Sequence, residues 1–272
     1  MKKNFELIAV GTDPEVFIRD TKNEEWISGE GLIGGTKHEP LEIAEGGFAI
    51  QEDNVMAEFC VPPARDPETM YNNINFVIHH LNKKVEAINP DYMVMVTASA
   101  KFDPDKLTSE QATTVGCDPD FNAWFEMQNP IPDLPNDCRF AGGHVHISYE
   151  NPSEERNIEI VKALDLFLGV PAVLMDIDDR RKEIYGTPGR YRNKKYGVEY
   201  RTLSNFWISS YENVEFIFNQ INKAFEFLNN EQKVNEEVPI CIDTNDKVSA
   251  LSICKRYNMV LPKIKIEENV EK

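Results

Sequence analysis

The stretch GGHVHIS, residues 142–148, alternates polar and apolar side chains with the two-residue period of a β-strand. His144 and His146 fall on one side of this strand, and Val145 and Ile147 fall on the other. An antiparallel sheet commonly packs one face on the core and leaves the other face polar. The stretch therefore predicts a strand of such a sheet, with both imidazoles on its polar face.

The same alternation recurs along other parts of the chain. The strand-like runs are residues 8–19, 48–61, 92–100, 140–149 and 197–206. The polar side carries Asp13 and Glu15 in the first run, Glu52, Asn54, Met56, Glu58 and Cys60 in the second, and Glu199 and Arg201 in the last. Four strands would thus present groups that bind metals or anions on a single face.

Apolar residues at helical spacing predict four helices. They span residues 67–88 behind the N-cap Asp66, then residues 153–168, 211–228 and 247–257. Pro171 is expected to start a new segment after the second helix. These elements predict an α+β fold, with a curved, mainly antiparallel sheet, one polar active-site face and helices packed on the other face. We expect one domain over residues 1–272, with a frayed, charged tail after about residue 262.

Two long segments are predicted to be loops, a Gly-rich one at residues 27–47 and one rich in Pro, Asp and Asn at residues 102–139. The second contains GCDPDFNAW, residues 116–124, which we interpret as a turn-rich structural loop despite Asp118 and Asp120. Within the first, GGTKHEP, residues 34–40, lacks the residue order of a phosphate loop. Long loops in a compact domain are often functional, so both remain candidates for substrate contact.

Composition excludes several classes of protein. The formal net charge of -17 disfavours nonspecific binding to nucleic acid or to anionic membranes. Five cysteines without a CxxC pair predict neither a disulfide framework nor a thiolate zinc site. Without an apolar stretch of signal-peptide or membrane-span length, the chain is expected in the cytoplasm.

Positive charge is concentrated in one segment of this acidic chain. Eight of the 29 basic residues lie between positions 180 and 201: Arg180, Arg181, Lys182, Arg190, Arg192, Lys194, Lys195 and Arg201. We interpret this segment as a loop, flexible at Gly186 and Gly189, that binds a small anion. Carboxylates with an imidazole suit Mg²⁺ or Mn²⁺, so the strands and the segment together predict a site for a metal and a phosphate.

Each signal also has a simpler interpretation. Asp13 and Glu15 could flank an ordinary turn at Pro14, and the two histidines could be a hydrogen-bonded core pair. Glu199 and Arg201 could form a surface ion pair of little energetic value. The basic segment could be a solvated loop. The coincidence of all four favours a functional site.

Four motifs in order resemble the phage-type carboxylate–amine ligases, which are amidoligases related to glutamine synthetase and gamma-glutamylcysteine synthetase. The motifs are GTDPEVF at 11–17, DNVMAEFCVPPA at 53–64, AGGHVHIS at 141–148 and YGVEYRTLSNFW at 196–207. The resemblance implies a glutamine synthetase-like catalytic domain and ATP-dependent ligation through an acyl phosphate. It also implies Mg²⁺ or Mn²⁺, small-molecule or peptide carboxylate and amine substrates, and a phage protein in the cytoplasm of a bacterial host.

The resemblance further implies roles for individual residues. Glu15 and Glu58 would bind metal, with Asp13 and Glu52 as further candidates, and His144 or His146 with Glu199 would complete the metal site on the nucleotide side. Arg201 would hold the transferred phosphoryl group. The remaining nucleotide-binding candidates are Arg181, Arg190, Arg192 and His146, and the catalytic candidates are Arg201, Glu199 and Arg192.

Two other functions remain open. A metal-dependent amide hydrolase could use His144, His146 and Glu199 to hold the metal that activates water. A catalytically inactive binding protein could have the same fold. The substrates, the number of metals and the oligomeric state are not specified by any motif.

Overall fold

The computed structural model describes residues 4–113 and 119–262 of the chain. The strands are β1 (Leu7–Thr12), β2 (Glu15–Asp20), β3 (Glu25–Ile27), β4 (Leu41–Ala44), β5 (Phe48–Asp53), β6 (Met56–Cys60), β7 (Tyr92–Met95), β8 (Ser99–Lys101), β9 (Phe121–Asn122), β10 (Met127–Gln128), β11 (Cys138–Phe140), β12 (Val145–Tyr149), β13 (Arg190–Lys194) and β14 (Gly197–Tyr200). The helices are α1 (Pro67–Ile88), α2 (Glu110–Thr113), α3 (Glu154–Leu164), α4 (Val170–Met175), α5 (Asp179–Lys182), α6 (Tyr211–Asn229), α7 (Glu237–Asp243) and α8 (Lys247–Arg256).

The strands form antiparallel sheets. The first has the order β1-β12-β14-β13-β9-β10, and the second has the order β3-β2-β6-β5-β4 with β7 also paired to β2. Strands β8 and β11 form a separate pair. The predicted α+β class, with a curved antiparallel sheet and helices, is confirmed. Among the described residues the strands divide into two larger sheets and one two-stranded pair.

The run 8–19 divides because the chain crosses from one sheet to the other at Asp13 and Pro14. Strand β1 pairs with β12 in the first sheet, and β2 pairs with β6 in the second. Pro14 has no N–H to donate, and its carbonyl accepts from the Phe59 N–H at 3.2 Å. This crossing brings the polar ends of both sheets together.

The run 48–61 is a hairpin rather than one strand. Asn54 and Val55 form its two-residue turn, and Asn54 has the positive φ of 56° that such turns favour. The run 92–100 similarly divides into β7 and β8. The runs 140–149 and 197–206 each contain one strand of the first sheet, β12 and β14, which pair with each other.

The basic segment is not a loop throughout, because regular elements lie on both sides of the loop at residues 183–189. It contains α5 and the β13–β14 hairpin, in which Arg192 lies opposite Glu199. Tyr191 and Tyr200, which also lie opposite each other, are buried in the core. Burial of these two rings fixes the hairpin and turns the alternate, charged residues to its polar face.

The four predicted helices are confirmed, with one change to the second. Asp66 caps α1 by accepting from the Thr69 N–H at 2.8 Å, as predicted. After α3 the chain continues through a π-helical turn, Asp165–Gly169, directly into α4, so Pro171 does not start a new segment. Pro171 follows directly after this π-helical turn, in which the Val170 N–H donates to the Asp165 carbonyl.

Helices cover the apolar side of the sheets. Helix α1 packs on β7, α6 packs on β1, and α3 packs on β13 and β14. One hydrophobic cluster joins the inner residues of both larger sheets to these helices. Within residues 4–113 and 119–262, the helices are too short or too polar to cross a membrane.

Candidate active site

An open cavity of about 920 Å³ lies where the polar ends of the two larger sheets meet. Its wall includes β2, β5 and β6 of the second sheet and β13 of the first. Residues from the predicted loops at 27–47 and 102–139 complete its margin. The cavity therefore draws on segments that are far apart in sequence.

Four acidic residues, which we call the carboxylate cluster, line one part of the cavity: Asp13, Glu15, Asp53 and Glu58. Glu15 and Glu58 lie directly opposite each other across the β2–β6 pair. The Gly142 N–H donates to Glu15 Oε2 at 2.6 Å, and Gln51 Nε2 donates to Glu58 Oε2 at 2.8 Å. These two hydrogen bonds hold the carboxylates in the wall but do not neutralise their charge.

The environment of Glu15, Asp53 and Glu58 disfavours their ionised form, whereas the neighbouring His144 and His146 lower the pKa of Asp13. Desolvation in the cavity wall, together with the charge of Asp53, raises the pKa of Glu15 to about 8. Desolvation raises the pKa of Glu58 well above its usual range, and the charges of Asp13, Asp53 and Glu15 raise it further. Desolvation likewise raises the pKa of Asp53. Such carboxylates gain stability from any cation that binds among them.

The hairpin turn changes which residues of the run 48–61 belong to the cluster. Gln51 and Asp53 lie opposite Glu58 and Met56, so these four side chains share the face that lines the cavity. Glu52 lies opposite Ala57, on the other face. Sequence reasoning missed Gln51 and Asp53; recognising the two-residue turn would have shifted the alternation and identified them.

The structure therefore does not bring Glu52 to Glu58 as the single-strand register predicted. Glu52 Oε1 accepts from the Gly34 N–H at 2.8 Å, and Gln111 Nε2 lies 3.4 Å from its other oxygen. Glu52 reaches the margin of the cavity but ties the 27–47 segment to the hairpin. A metal-binding role for Glu52 stays a prediction.

Five cationic residues, which we call the basic cluster, line another part of the same cavity: Arg181, Arg190, Arg192, Lys194 and Arg201. Asp120 and Glu199 form ion pairs with members of this cluster. Several cations gathered in one cavity wall attract a multiply charged anion.

Glu199 is fully buried beneath the basic cluster. Lys194 Nζ lies 2.7 Å from its Oε2, Arg192 Nη1 lies 3.5 Å from Oε1, and Arg201 Nη1 donates to Oε1. Burial opposes ionisation of Glu199, but the charge of Arg201, with those of His144 and His146, lowers its pKa to about 2. Glu199 therefore holds three cations in one orientation.

Arg181 lies deeper than the other cations. Its Nη1 donates to the Thr202 carbonyl at 2.9 Å, and its Nη2 donates to the Arg201 carbonyl at 3.3 Å. Desolvation lowers the pKa of Arg181 to about 10. These two bonds support the backbone that carries Arg201, so Arg181 has a structural contact besides its place in the cavity wall.

The two histidines take different positions around Asp13. His144 Nδ1 lies 3.2 Å from Asp13 Oδ1, and His146 Nε2 lies 3.1 Å from Asp13 Oδ2. His144 lines the cavity, whereas His146 lies behind it and pairs with Tyr196 Oη at 2.7 Å. Burial, together with the charge of the adjacent Arg201, lowers the pKa of His144 to about 4.

One group of possible ligand atoms is close enough to hold a single metal ion. Atoms of Asp13, His146 and Glu199 all lie within 4.8 Å of one another. This group contains His146 rather than His144 among the described residues. It differs from the histidine pair with Glu199 that the hydrolase interpretation requires.

Residues 135–240 match the model of a family described as phage phiEco32-like COOH.NH2 ligase-type 2. No curated protein matches the chain. The matched segment contains both histidines, Glu199 and the entire basic cluster, whereas the carboxylate cluster precedes it. Over residues 135–240, the chain is therefore similar to the phage-type carboxylate–amine ligases, the family that its motifs resemble.

Proposed function

We propose that the protein is an ATP-dependent carboxylate–amine ligase that forms an amide or isopeptide bond through an acyl phosphate. The carboxylate and basic clusters line the same cavity, and this single observation carries the proposal. A reaction between a nucleotide, an acid and an amine needs a cation site beside an anion site. The family match over residues 135–240 supports the ligase chemistry.

The carboxylate cluster fits a divalent metal ion. Glu15 and Glu58 form a like-charge pair directly opposite each other, an arrangement that is unfavourable without a cation. Oxygen donors are the ligands that Mg²⁺ and Mn²⁺ prefer. Asp13, Glu15, Asp53 and Glu58 are the donors we assign to this ion, and Asp13 also belongs to the second group, which it forms with His146 and Glu199. Metal bound there would offset the negative charge of the nucleotide phosphates and of the substrate carboxylate.

The basic cluster fits the phosphate groups of ATP. Arg192, Lys194 and Arg201 are held by Glu199, and their guanidinium and ammonium groups border the cavity. Fixed cations stabilise charge on a transferring phosphoryl group without having to reorganise during the reaction. Arg201 is the residue we assign to that phosphoryl group, because it lies between Glu199 and Asp120 at the junction of the two clusters.

The proposed reaction has two transfers. An oxygen of the substrate carboxylate attacks the γ-phosphorus of ATP, the bond to the bridging oxygen breaks, and ADP leaves. The amine nitrogen then attacks the acyl carbon, the carbon–oxygen bond to phosphate breaks, and inorganic phosphate and a proton are released. The chain contributes by placing the acid between the two clusters and by holding the charged side chains still.

The proposed activity is tested by measuring ADP release from ATP in the presence of Mg²⁺. The candidate substrates are small acids, peptides, amino acids and polyamines. The expected result is ADP release that requires an acid and a metal. An isotopically labelled carboxylate oxygen should appear in the released phosphate, because the acyl phosphate passes that oxygen on. Hydroxylamine in place of the amine should yield a hydroxamate.

Two results would replace the proposal. Metal-dependent cleavage of amides without ATP consumption would identify a hydrolase. ATP or acid binding without any turnover across the screen would identify a binding protein on the same fold. The glutamine synthetase-like architecture and a location in a host cytoplasm belong to this proposal as well, and rest on the sequence resemblance.

A further inference from the structure

Asp120 is a buried carboxylate between two arginines of the basic cluster. It lies immediately before β9, and its side chain is 8% exposed. Arg190 Nε donates to Asp120 Oδ2 at 2.9 Å, and Arg190 Nη2 lies 2.8 Å from the same oxygen. Arg201 Nε lies 3.6 Å from it. A single oxygen thus contacts two guanidinium groups that border the cavity.

The contacts with Asp120 leave part of each guanidinium available. Arg190 uses Nε and Nη2 towards Asp120 and donates from Nη1 to the Ile184 carbonyl at 3.3 Å. A guanidinium has five N–H donors, so Arg190 retains donors for a ligand. The Arg201 N–H also donates to the Arg190 carbonyl at 2.9 Å, which ties the two backbones together. The two arginines are therefore held side by side.

We propose that Asp120 is a positioning residue that holds Arg190 and Arg201 parallel, so that both guanidinium groups meet the phosphates of the nucleotide. This inference rests on the proposed function for the identity of the anion. Two adjacent guanidinium groups repel each other, and a shared carboxylate removes that repulsion. Without it, the arginines keep their charge but lose their common orientation.

A purely structural role would be to attach the β9–β10 hairpin, but that hairpin has other attachments. Strand β9 pairs with β13, and the Ala123 N–H donates to the Gly189 carbonyl at 2.9 Å. Asn122 Nδ2 donates to the Pro188 carbonyl at 3.1 Å, and Trp124 Nε1 donates to Asp165 Oδ2 at 2.6 Å. Loss of the Asp120 charge therefore leaves the hairpin docked and acts on the arginines.

The test compares Asp120→Asn with Asp137→Asn in the full chain. Asp137 belongs to the same 102–139 segment and pairs with Lys101 at 3.1 Å, but it does not line the cavity. We expect kcat of Asp120→Asn to fall about tenfold to a hundredfold, as misplacement of catalytic groups does. KM for ATP should change less than threefold, because the positive charge remains. Asp137→Asn should retain the wild-type kcat.

A second readout does not depend on ligase activity. In NMR spectra of the wild-type protein, inorganic tripolyphosphate should shift the Nε–H signals of Arg190 and Arg201 together. In Asp120→Asn, the Arg190 signal should exchange rapidly with solvent, and the two signals should no longer respond together. If the wild type lacks turnover but shows this paired response, the proposed function fails and the positioning role stands.

Three outcomes would overturn the positioning role. The first is wild-type kcat and unchanged arginine signals in Asp120→Asn. The second is a fall in kcat that Asp137→Asn reproduces. If the Asp120→Asn chain does not fold, both measurements are made on Asp120→Glu, which keeps the charge but moves it by one methylene. The third outcome is wild-type kcat with unchanged Nε–H signals in Asp120→Glu.

Discussion

Glu15 and Glu58 illustrate how a pair of side chains can cost stability in order to create a site. They lie opposite each other in an antiparallel pair, where two ionised carboxylates repel each other. Desolvation adds to this cost and raises the pKa of both groups. The proposed metal ion would offset this cost by binding between them.

Glu58→Gln should abolish turnover while leaving the fold intact. The amide keeps the shape of the side chain but cannot supply the charge that binds the metal. Because the substitution also removes a like-charge contact with Glu15, we expect the metal-free protein to melt at the same temperature or higher. Activity assays and thermal unfolding measure both effects. Glu42→Gln, on exposed β4, is the matched control, and wild-type turnover in Glu58→Gln would remove Glu58 from the site.

Arg201→Lys should fold normally yet lose kcat by on the order of a hundredfold. A planar guanidinium can contact Glu199, Asp120 and a phosphate at once, and an ammonium cannot. KM for ATP should rise less, because the contact is strongest in the transition state. Steady-state ADP release gives both constants. The control is Arg180→Lys, which pairs with Asp178 outside the cavity, and a less stable Arg201→Lys with unchanged kcat would indicate a structural ion pair.

Among the elements, the approach of β12 to the Leu203–Asn205 segment depends on two glycines. The Gly143 N–H donates to the Leu203 carbonyl at 3.1 Å, and Trp207 Nε1 donates to the Gly143 carbonyl at 2.9 Å. A Cβ at Gly143 would overlap the Ser204 carbonyl, and one at Gly142 would overlap the His144 ring. Glycine is required here for close backbone contact rather than for an unusual φ.

Gly143→Ala should therefore destabilise the protein by about 1–3 kcal/mol, since the backbone must move to admit the methyl group. Displacement of the adjacent His144 should also lower any ligase activity. Chemical denaturation measures the first effect, and ADP release measures the second. Unchanged stability would mean that the segment carrying Ser204 shifts without cost.

For the whole molecule, competition between a proton and a metal ion at Glu15 should make the free energy of unfolding depend on pH. The pKa of Glu15 is about 8 in the folded protein and is far lower in the unfolded chain. Between these values the folded state holds a proton that the unfolded state has lost. The contribution of Glu15 to stability is therefore present at low pH and is lost as pH rises towards 8.

Mg²⁺ competes with this proton, so it should raise the melting temperature more at pH 8 than at pH 6. Thermal unfolding with and without Mg²⁺ at the two pH values tests this expectation. In Glu15→Gln the difference between the two pH values should shrink. Equal shifts at both pH values in the wild type would show that Glu15 does not bind the ion.

Local patterns were sufficient to predict most elements. The stripes of α1 and α6, the cap at Asp66 and the alternation around His146 were all predicted correctly, because each depends on neighbours within a few residues. The similarity of residues 135–240 to the phage-type ligases was also accessible from short motifs. Strand β13 was missed, because its basic residues obscured the buried Tyr191 that anchors it.

The sequence alone predicted that the site would contain both carboxylates and arginines. The alternation of polar and apolar residues and the clustering of basic residues are local properties of the sequence. Only the folded chain decided which residues face one another. The turn at Asn54 puts Asp53, rather than Glu52, on the same face as Glu58. The crossing at Pro14 places Glu15 opposite Glu58. Asp120 was interpreted as part of a structural loop, yet packing puts it beside Arg190. These contacts join residues distant in sequence, so they follow from how the sheets pack rather than from any local pattern.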